Sequence, residues 1–514
     1  MPIRRIKRSP SFSLGFKCQA TEIAGAKHPH EQQLQRAAGA LQQGAKRLAC
    51  NGERSEPRAQ ASLPQNTVSL FHAYNHIFAS KANQTMTKNN STTSPAYHIG
   101  LEDKHGAHNY HPLPVVLSEG RGCHVWDVEG KKYFDFLSAY SAVNQGHCHP
   151  RIIDMMVKQS RKLTLTSRAF HNDQLGEYEK YLTDYFNFDK VLPMNTGAEA
   201  VETAIKLCRK WGYDKKGIPT DQARIIVCGQ NFHGRTTTII SFSSDPDAKG
   251  SFGPYTPGFE SVPYGDEAAM EAALANDPAT IAGVLVEPIQ GEAGVFVPQE
   301  GYLAAVRDAC KKHNVLFIAD EIQTGIGRTG ALLRICGDCT CQGHCERQPA
   351  TYLRPDILIL GKALSGGTYP VSAVLSDDEI MEVIKPGQHG STFGGNPVAC
   401  AVAKEALEVI IDEKLTQNAR ALGHIFRARM QELIDTYPAL LTLVRGKGLL
   451  NAVIINDSPD SKTAWNLCVA LSEAGLLAKP THGNIIRFAP PLVISEKELQ
   501  EACDIIAGVV KDFA

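Results

Sequence analysis

The sequence predicts an α/β fold, with a large domain built on a mostly parallel central sheet and a smaller α+β domain formed by both ends of the chain. Two apolar, strand-like runs, residues 315–319 and 356–360, are each closely followed by a charged residue, Asp320 and Lys362. Helical patterns alternate with such runs, which is typical of βαβ units. Because ligands bind outside the carboxyl ends of the strands in open α/β sheets, these two side chains are the first candidates for a functional site.

The composition is that of an ordinary globular protein. The chain has 514 residues, of which 43% are hydrophobic and 21% are charged, and this length predicts more than one domain. The formal net charge of −1 gives no general case for a nucleic-acid or membrane partner. No apolar run reaches the roughly eighteen residues typical of a membrane span. The fourteen cysteines are mostly scattered through helix- and strand-like patterns, so we interpret most of them as buried thiols in a reducing compartment.

Residues 1–96 form a basic extension with little periodic hydrophobicity. Residues 1–97 carry thirteen Lys and Arg against four Asp and Glu, a balance of +9 that leaves −10 for the rest of the chain. The first acidic residue is Glu22. This composition is typical of an organelle transit peptide and predicts a location in the mitochondrial matrix. The alternative is a disordered tail that carries no address, on a cytoplasmic protein.

Residues 97–150 are predicted to contain a small β-meander. Apolar and polar residues alternate around residues 125–127 and 133–137, and the sequences EGRG and EGKK are typical of tight turns. Two tyrosines in this segment, Tyr110 and Tyr140, are considered below, although aromatic residues more often serve packing than function.

Residues 151–400 are predicted to form the large domain. After a helix at 150–162 and a largely helical stretch at 163–186, a short strand leads into Gly197 and Ala198 at the start of another helix. Glycine lets the backbone approach a ligand closely, and free N–H groups at a helix N-terminus attract anions. This helix start is therefore a candidate phosphate site, although most such starts bind nothing.

Two further strands, residues 225–228 and 284–286, are followed by polar and aromatic candidates. The first precedes Phe232, His233 and Arg235, and the second precedes Glu287 and Glu292. An aromatic ring just beyond a strand can stack on a planar ligand. We interpret His233 as structural, and a carboxylate in such a position is more often part of a structural ion pair.

The motifs DEIQTGIGRTG (residues 320–330) and PDILILGKALSGG (residues 355–367) resemble those of the class III, fold-type I aminotransferases, which use pyridoxal 5′-phosphate (PLP). The resemblance covers residues 97 to 514 except 334–352. RGKGLL and LLAKPTHGNIIRFAPPL are similar to the members of that family that act on ornithine.

The resemblance implies a role toward PLP for each candidate at the strand ends. Lys362 would hold the cofactor as a Schiff base, and Asp320 would keep its ring nitrogen protonated. The remaining cofactor-binding residues would be Gly197 and Ala198 at the phosphate, Phe232 and Ile322 on the two faces of the ring, Gln323 at the phenolic oxygen, and Thr392, which would bind the phosphate of the neighbouring subunit.

The resemblance also implies how substrates are recognised. Tyr110 and Tyr140 would line the substrate pocket, and Arg235 would hold the α-carboxylate in a bidentate contact. Glu292 would pair with Arg487 while an ω-amino donor binds. That pair would open when a 2-oxo acid with a distal carboxylate enters, so that one site serves two substrates in turn.

The function that the resemblance implies is transfer of the δ-amino group of L-ornithine to 2-oxoglutarate in a ping-pong reaction. The enzyme would be a homodimer with composite active sites, or a higher oligomer. Acetylornithine and 4-aminobutyrate are the alternative amino donors within the family. An alternative of another class is an inactive PLP-fold scaffold that uses a cysteine-rich loop to bind a metal or respond to redox conditions.

That loop is an insertion at residues 334–352. Cys336, Cys339, Cys341 and Cys345 are arranged as C-x-x-C-x-C-x-x-x-C. This spacing is compact enough to ligate zinc or to form reversible disulfides, but it is not the two separated pairs of a zinc ribbon. An inert loop is the third alternative, and the predicted chemistry does not require the insertion. Residues 401–514 are predicted to form the C-terminal α+β domain, with long helices at 397–413 and 415–437.

Overall fold

The structure is a computed structural model that describes residues 94–337 and 353–514. The predicted targeting extension, apart from its last three residues, lies outside the described residues, as do Cys339, Cys341 and Cys345 of the insertion. The strands are β1 (Leu117–Arg121), β2 (His124–Asp127), β3 (Lys132–Asp135), β4 (Lys190–Met194), β5 (Arg224–Cys228), β6 (Phe259–Val262), β7 (Ile281–Val286), β8 (Leu316–Asp320), β9 (Ile357–Leu360), β10 (Ser372–Ser376), β11 (Leu441–Lys447), β12 (Leu450–Ile455), β13 (Leu476–Leu477), β14 (Lys479–His482) and β15 (Ile485–Phe488).

Thirteen α-helices lie between and around these strands in the two described ranges, not counting a short left-handed turn at Ser138–Ser141. They are α1 (Pro95–His105), α2 (Pro150–Ser160), α3 (Leu175–Phe186), α4 (Gly197–Trp211), α5 (Thr237–Ile240), α6 (Pro246–Lys249), α7 (Glu267–Ala275), α8 (Tyr302–Lys312), α9 (Asp378–Met381), α10 (Pro397–Asp412), α11 (Leu415–Thr436), α12 (Thr463–Glu473) and α13 (Glu496–Phe513). A π-helical turn, Gly212–Lys216, extends α4, and 3-10 turns occupy Arg334–Cys336 and Lys362–Ser365.

The central sheet has seven strands in the order β4-β10-β9-β8-β7-β5-β6. Its strands are parallel except for β10, which pairs antiparallel with both β4 and β9. Strands β7 to β10 are buried along their whole length because helices cover both faces of the sheet. The predicted mostly parallel sheet is confirmed by this strand order. One cluster of core residues contains α4, and another contains α10.

Both ends of the described chain contribute to smaller sheets. The predicted meander forms the antiparallel strands β1-β2-β3, and β13 from the C-terminal region adds to β3 in parallel. The C-terminal strands form a second antiparallel sheet in the order β11-β12-β15-β14. The smaller α+β part therefore draws on both ends of the chain, as predicted, whereas the domain boundaries at residues 97–150, 151–400 and 401–514 stay predictions.

Most predicted helices differ from the structure by one or two residues, but the stretch at 163–186 is a correction. Only Leu175–Phe186 is helical there. The Asn172 side chain accepts hydrogen bonds from the backbone N–H groups of Gln174 and Leu175, which fixes the turn that starts the helix. In the two described ranges, every helix is too short or too polar to cross a membrane.

Candidate active site

Asp320 and Lys362 lie at the carboxyl ends of two neighbouring parallel strands. Asp320 is the last residue of β8 and pairs in register with Ile359 of β9, three residues before Lys362. The backbone of Lys362 has φ of 44°, in the left-handed region that a residue with a side chain seldom adopts. Such strain is maintained only where the surrounding structure fixes the residue, and it clusters at functional sites.

The two side chains face a common cavity of about 200 Å³, which we call the inner cavity. Its walls come from α4, from the loops after β5 and β7, and from the segment after β8. The lining includes Gly197, Ala198, Phe232, His233, Glu287, Glu292, Asp320, Ile322, Gln323 and Lys362. Burial lowers the pKa of Lys362, which favours the neutral, nucleophilic amine.

His233 holds Asp320 in place. Its Nδ1 lies 2.6 Å from Asp320 Oδ2, and Asp320 Oδ1 accepts a hydrogen bond of 3.0 Å from the Ile322 N–H. Although burial alone would lower the pKa of His233, the hydrogen bond and the charge of Asp320 raise it above its ordinary value of 6.5. The interpretation of His233 as structural agrees with its position behind Asp320, but the contact also makes it a positioning residue of the site.

Glu287 lines the inner cavity, whereas its position in the sequence predicted only a structural ion pair. It is buried, and its Oε2 accepts a hydrogen bond of 3.0 Å from the Phe232 N–H. Burial raises the pKa of Glu287 to about 8, so a large share of this carboxyl group is neutral at pH 7. Its position directly after the fully apolar strand β7 is the sequence feature that could have indicated a place in the site.

Arg487, which is buried, and Glu292, which is half-buried, form an ion pair beside the inner cavity. Arg487 Nη1 donates a hydrogen bond of 2.7 Å to Glu292 Oε1, which also accepts one of 2.7 Å from Gln323 Nε2. Burial would raise the pKa of Glu292, but the charges of Arg487 and Lys362 lower it to about 2. The carboxylate is therefore charged at every pH at which the protein is expected to work.

Besides Glu292, the ring of Tyr140 also contacts Arg487. It belongs to the left-handed turn Ser138–Ser141, and its ring lies 5.0 Å from the Arg487 guanidinium carbon. Burial, Glu292 and the nearby Tyr110 raise the pKa of Tyr140. Tyr140 and Arg487 do not line the inner cavity directly but meet it through Glu292.

The start of α4, where anions can bind, forms one end of the inner cavity. Thr196 caps the helix, and its capping box with Glu199 leaves the first N–H groups, at Gly197 and Ala198, at the cavity wall. A Cβ atom on Gly197 would lie 3.1 Å from Ile322 Cδ1, so the site is shaped around a glycine. Gln323 adds a buried Oε1 atom without a hydrogen-bond partner among the described residues.

Arg235 lies outside the inner cavity, in an adjoining outer cavity of about 380 Å³. The two cavities share Phe232, His233, Gly234 and Glu292. The guanidinium carbon of Arg235 lies 5.6 Å from the centre of the Phe232 ring, and Nη2 lies 3.4 Å from Asp245 Oδ2. A carboxylate that enters the outer cavity would meet Arg235 before it reaches the strand ends.

Like Tyr140 and Arg487, two further residues predicted to bind substrate or cofactor line neither cavity. Tyr110 is 71% exposed, and Thr392 is an exposed residue of the loop before α10. The hydroxyl of the neighbouring Ser391 accepts a hydrogen bond of 2.9 Å from Asn195 Nδ2, which ties this loop to the start of α4. Of the predicted cysteine cluster, Cys336 is half-buried in a 3-10 turn, and the other three cysteines lie outside the described residues.

The residues around the inner cavity suit a planar, phosphorylated carbonyl compound. The lysine can form a covalent bond to a carbonyl carbon, and the start of α4 can bind a phosphate. Phe232 and Ile322 can enclose a ring, Asp320 can hold a protonated ring nitrogen, and the unpartnered Gln323 Oε1 can accept a hydrogen bond. The residues in these five roles all line the inner cavity, as the binding of a single rigid cofactor requires.

Comparisons with known proteins agree with this geometry. The family model "Aminotransferase class-III" matches residues 105–510. The "Ornithine aminotransferase, mitochondrial" of Drosophila melanogaster is 58% identical over 409 residues, which are 80% of this chain and 90% of that protein.

Two solved structures extend the comparison to the fold. The ornithine aminotransferase from Toxoplasma gondii, whose active site holds PLP at partial occupancy, is 43% identical with a TM-score of 0.78, covering 88% of this chain and 98% of that chain. The acetylornithine aminotransferase from Elizabethkingia anophelis is 62% identical with a TM-score of 0.74, covering 83% and 100%. A lysine and an aspartate on neighbouring strand ends, an adjacent helix start and a match over most of the chain lead to one conclusion: the protein belongs to the class-III aminotransferase family.

Proposed function

We propose that this transaminase transfers the δ-amino group of L-ornithine to 2-oxoglutarate, giving glutamate 5-semialdehyde and glutamate. The observation that carries the proposal is the Glu292–Arg487 pair next to Lys362, in which the arginine is buried. With the pair closed, Arg487 is neutralised and the site accepts a substrate whose reacting end bears only an amine. With the pair open, Arg487 can bind a second carboxylate, as the oxo acid requires. The relatives named ornithine aminotransferase support the same substrate.

PLP is the cofactor that the inner cavity fits. Lys362 would hold it, Gly197 and Ala198 would bind its phosphate, and Asp320 would keep its ring nitrogen protonated. When bound, the protonated ring supplies an electron sink for the charge that develops on the substrate carbon.

Lys362 then serves as the proton carrier of the transfer. Its amine removes a proton from the substrate carbon that bears the nitrogen and delivers a proton on the cofactor side. Burial supports this role because it lowers the pKa of the amine toward the range where the group both accepts and donates protons. Asp320 is kept in position by His233 and by the Ile322 N–H.

Residues in and near the outer cavity would orient the substrate. Arg235 would bind the α-carboxylate that ornithine and 2-oxoglutarate share, since its guanidinium lies at the mouth of the cleft beside Phe232. Tyr140 would contact the substrate from the side of Arg487, and the nearby Tyr110 would extend that wall.

The functional unit that we infer is a homodimer. Thr392 is exposed and lies away from both cavities of its own chain, so its predicted phosphate contact would have to be made in a neighbouring subunit. We also infer a location in the mitochondrial matrix. The basic, acid-poor start of the chain and the relatives named mitochondrial support that location.

Acetylornithine is the second candidate donor, because one structural relative at 62% identity is named for it. Free ornithine has an α-ammonium group that needs a polar partner, whereas the acetylated donor has a neutral amide in that place. The hydroxyl groups of Tyr110 and Tyr140 favour free ornithine for this reason.

The test is a substrate panel on the purified holoenzyme. Absorbance spectra before and after ornithine addition report the first half-reaction, and release of glutamate from 2-oxoglutarate reports the second. We expect kcat/KM for ornithine to exceed that for N-acetylornithine and 4-aminobutyrate by at least roughly 100-fold, since a site built to pair polar groups strongly rejects substrates that leave those groups unpaired. A preference for N-acetylornithine would replace the proposal with the second candidate.

A further inference from the structure

We propose that Asp245 is a substrate-positioning residue that occupies Arg235 between turnovers, yields it to the α-carboxylate of either substrate, and so sets how tightly both substrates bind. The proposal rests on the proposed function, in which Arg235 binds that carboxylate. It adds a second acid–arginine pair to the site, in the outer cavity.

The Arg235–Asp245 pair is open to solvent and loosely held. Arg235 Nη2 lies 3.4 Å from Asp245 Oδ2, and the two side chains are 56% and 33% exposed. This contact engages one nitrogen of the guanidinium, so the other N–H groups are available for a bidentate contact with a carboxylate. Exposed ion pairs contribute little free energy, so an arriving carboxylate can displace this one.

The Asp245 carboxylate is nevertheless fixed in place. It caps the short helix α6, because Oδ1 accepts a hydrogen bond of 3.0 Å from the Asp247 N–H. The Asp245 N–H in turn donates a hydrogen bond of 3.2 Å to Ser243 Oγ. Capping commits one oxygen to the helix and leaves the other directed at Arg235 within the outer cavity.

The Glu292–Arg487 pair is held more tightly than this pair. The Arg487 side chain is 2% exposed and that of Glu292 21% exposed, the bond between them is 2.7 Å long, and Gln323 adds a second bond to the same oxygen. A buried pair resists opening unless the entering group replaces its bonds. Asp245 would therefore set how tightly the carboxylate shared by both substrates binds, whereas Glu292 sets which distal group is accepted.

The substitutions Asp245→Asn and Asp245→Ser test the proposal. Both residues keep an oxygen that can cap α6, and both remove the charge that competes for Arg235. We expect KM to fall roughly two- to fivefold for ornithine and for 2-oxoglutarate alike, with kcat unchanged, given the small free energy of an exposed pair. Asp247→Asn is the matched control: it removes the same charge from α6 at an exposed position outside the outer-cavity lining, and should leave both KM values unchanged.

A double-mutant cycle locates the effect. In an Arg235→Gln background, Asp245→Asn should change neither KM, because the guanidinium for which Asp245 and the substrate carboxylate compete is absent. Unchanged or raised KM values in the single variants, or a decrease for only one substrate, would overturn the role of Asp245.

Failure of the proposed function would be visible separately, as a parent enzyme that does not turn over ornithine. In that case, binding of valerate to the holoenzyme, measured by calorimetry, decides the Asp245 proposal. Tighter binding of this plain carboxylate in Asp245→Asn and Asp245→Ser, but not in Asp247→Asn, supports the competition, and equal binding in all four proteins contradicts it.

Discussion

Arg487 Nη1 lies 2.7 Å from Glu292 Oε1, and the two residues are 195 positions apart in the chain. Arg487 comes from β15 of the C-terminal sheet, whereas Glu292 comes from the loop after β7 of the central sheet. The ion pair therefore joins the smaller part of the fold to the large sheet at the edge of the inner cavity. If Arg487 exchanges Glu292 for another partner, this contact between the C-terminal sheet and the central sheet is lost.

Glu292→Gln should relax the choice of amino donor. Glutamine keeps the shape and one hydrogen bond but removes the charge that neutralises Arg487, so donors with a distal carboxylate gain access. A charged hydrogen bond contributes about 1.5–3 kcal/mol, which predicts a roughly 10- to 100-fold fall in the ratio of kcat/KM for ornithine to that for glutamate. Glu271→Gln, at an exposed ion pair with Lys312 and His313, should leave the ratio unchanged. An unaltered ratio in Glu292→Gln would remove the pair from the account of specificity.

Lys362→Met should abolish transamination while preserving the fold. Methionine has a similar length and is apolar, so it fits a site where burial already disfavours the charged amine. Loss of the proton carrier should slow each half-reaction by at least roughly 10³-fold, measured as single-turnover absorbance changes. Lys311→Met, at an exposed position in α8, is the control. Half-reactions at the parental rate would show that another group carries the proton.

The sequence alone predicted that Asp320 and Lys362 lie close together, because the signals for the two strand ends are local. An apolar run followed by Asp320 and another followed by Lys362 predict two strand ends, and the parallel register of β8 and β9 places them side by side. The start of α4 at Gly197 is also a local pattern, with its capping residue and glycine adjacent.

Local patterns of this kind cannot predict contacts between residues that are far apart in the sequence. Glu292 and Arg487 were matched through a family resemblance, since the spacing carries no information about a contact between separate sheets. The contact of His233 with Asp320 spans 87 positions, and the raised pKa of Glu287 depends on burial by residues from several elements. The exposed positions of Tyr110 and Thr392 likewise depend on tertiary structure.

His233→Asn should make the stability of the protein less dependent on pH. The folded-state pKa of His233 is raised, so the stability that it contributes is fully present below its ordinary value of 6.5 and is lost as pH rises through the raised value. The variant should therefore lose about 1–3 kcal/mol relative to the parent at pH 6 and less at pH 9, measured from urea unfolding. The charge of His233 lowers the pKa of Glu287, so the difference between the two proteins reports on His233 together with its effect on Glu287.

His424→Asn is the matched control for that measurement, because His424 is an exposed residue of α11 and the two side chains have similar helix propensities. Its effect should be small and equal at both pH values. In the kinetic assay, His233→Asn should lower kcat with little change in KM, as expected of a residue that positions Asp320. A pH-independent loss of stability with unchanged kcat would assign His233 to packing alone.

Gly291→Ala should damage the site without a comparable loss of stability. A Cβ atom at this position would lie 1.4 Å from Gln323 Oε1 and 2.5 Å from its Cδ, so the side chain of Gln323 must move. That movement should break the hydrogen bond from Gln323 Nε2 to Glu292. We expect kcat/KM for ornithine to fall roughly tenfold or more, since a charged hydrogen bond is lost.

Gly508→Ala separates this effect from that of adding a methyl group to any glycine. Gly508 lies in α13, and a Cβ atom there meets nothing within 4 Å. Alanine should stabilise the helix by about 0.5–1 kcal/mol and leave activity unchanged. If Gly291→Ala instead retains parental kcat/KM, Gln323 can occupy a second position that preserves the Glu292–Arg487 pair. Its bond to Glu292 would then contribute nothing to donor choice, because Arg487 alone would hold the carboxylate.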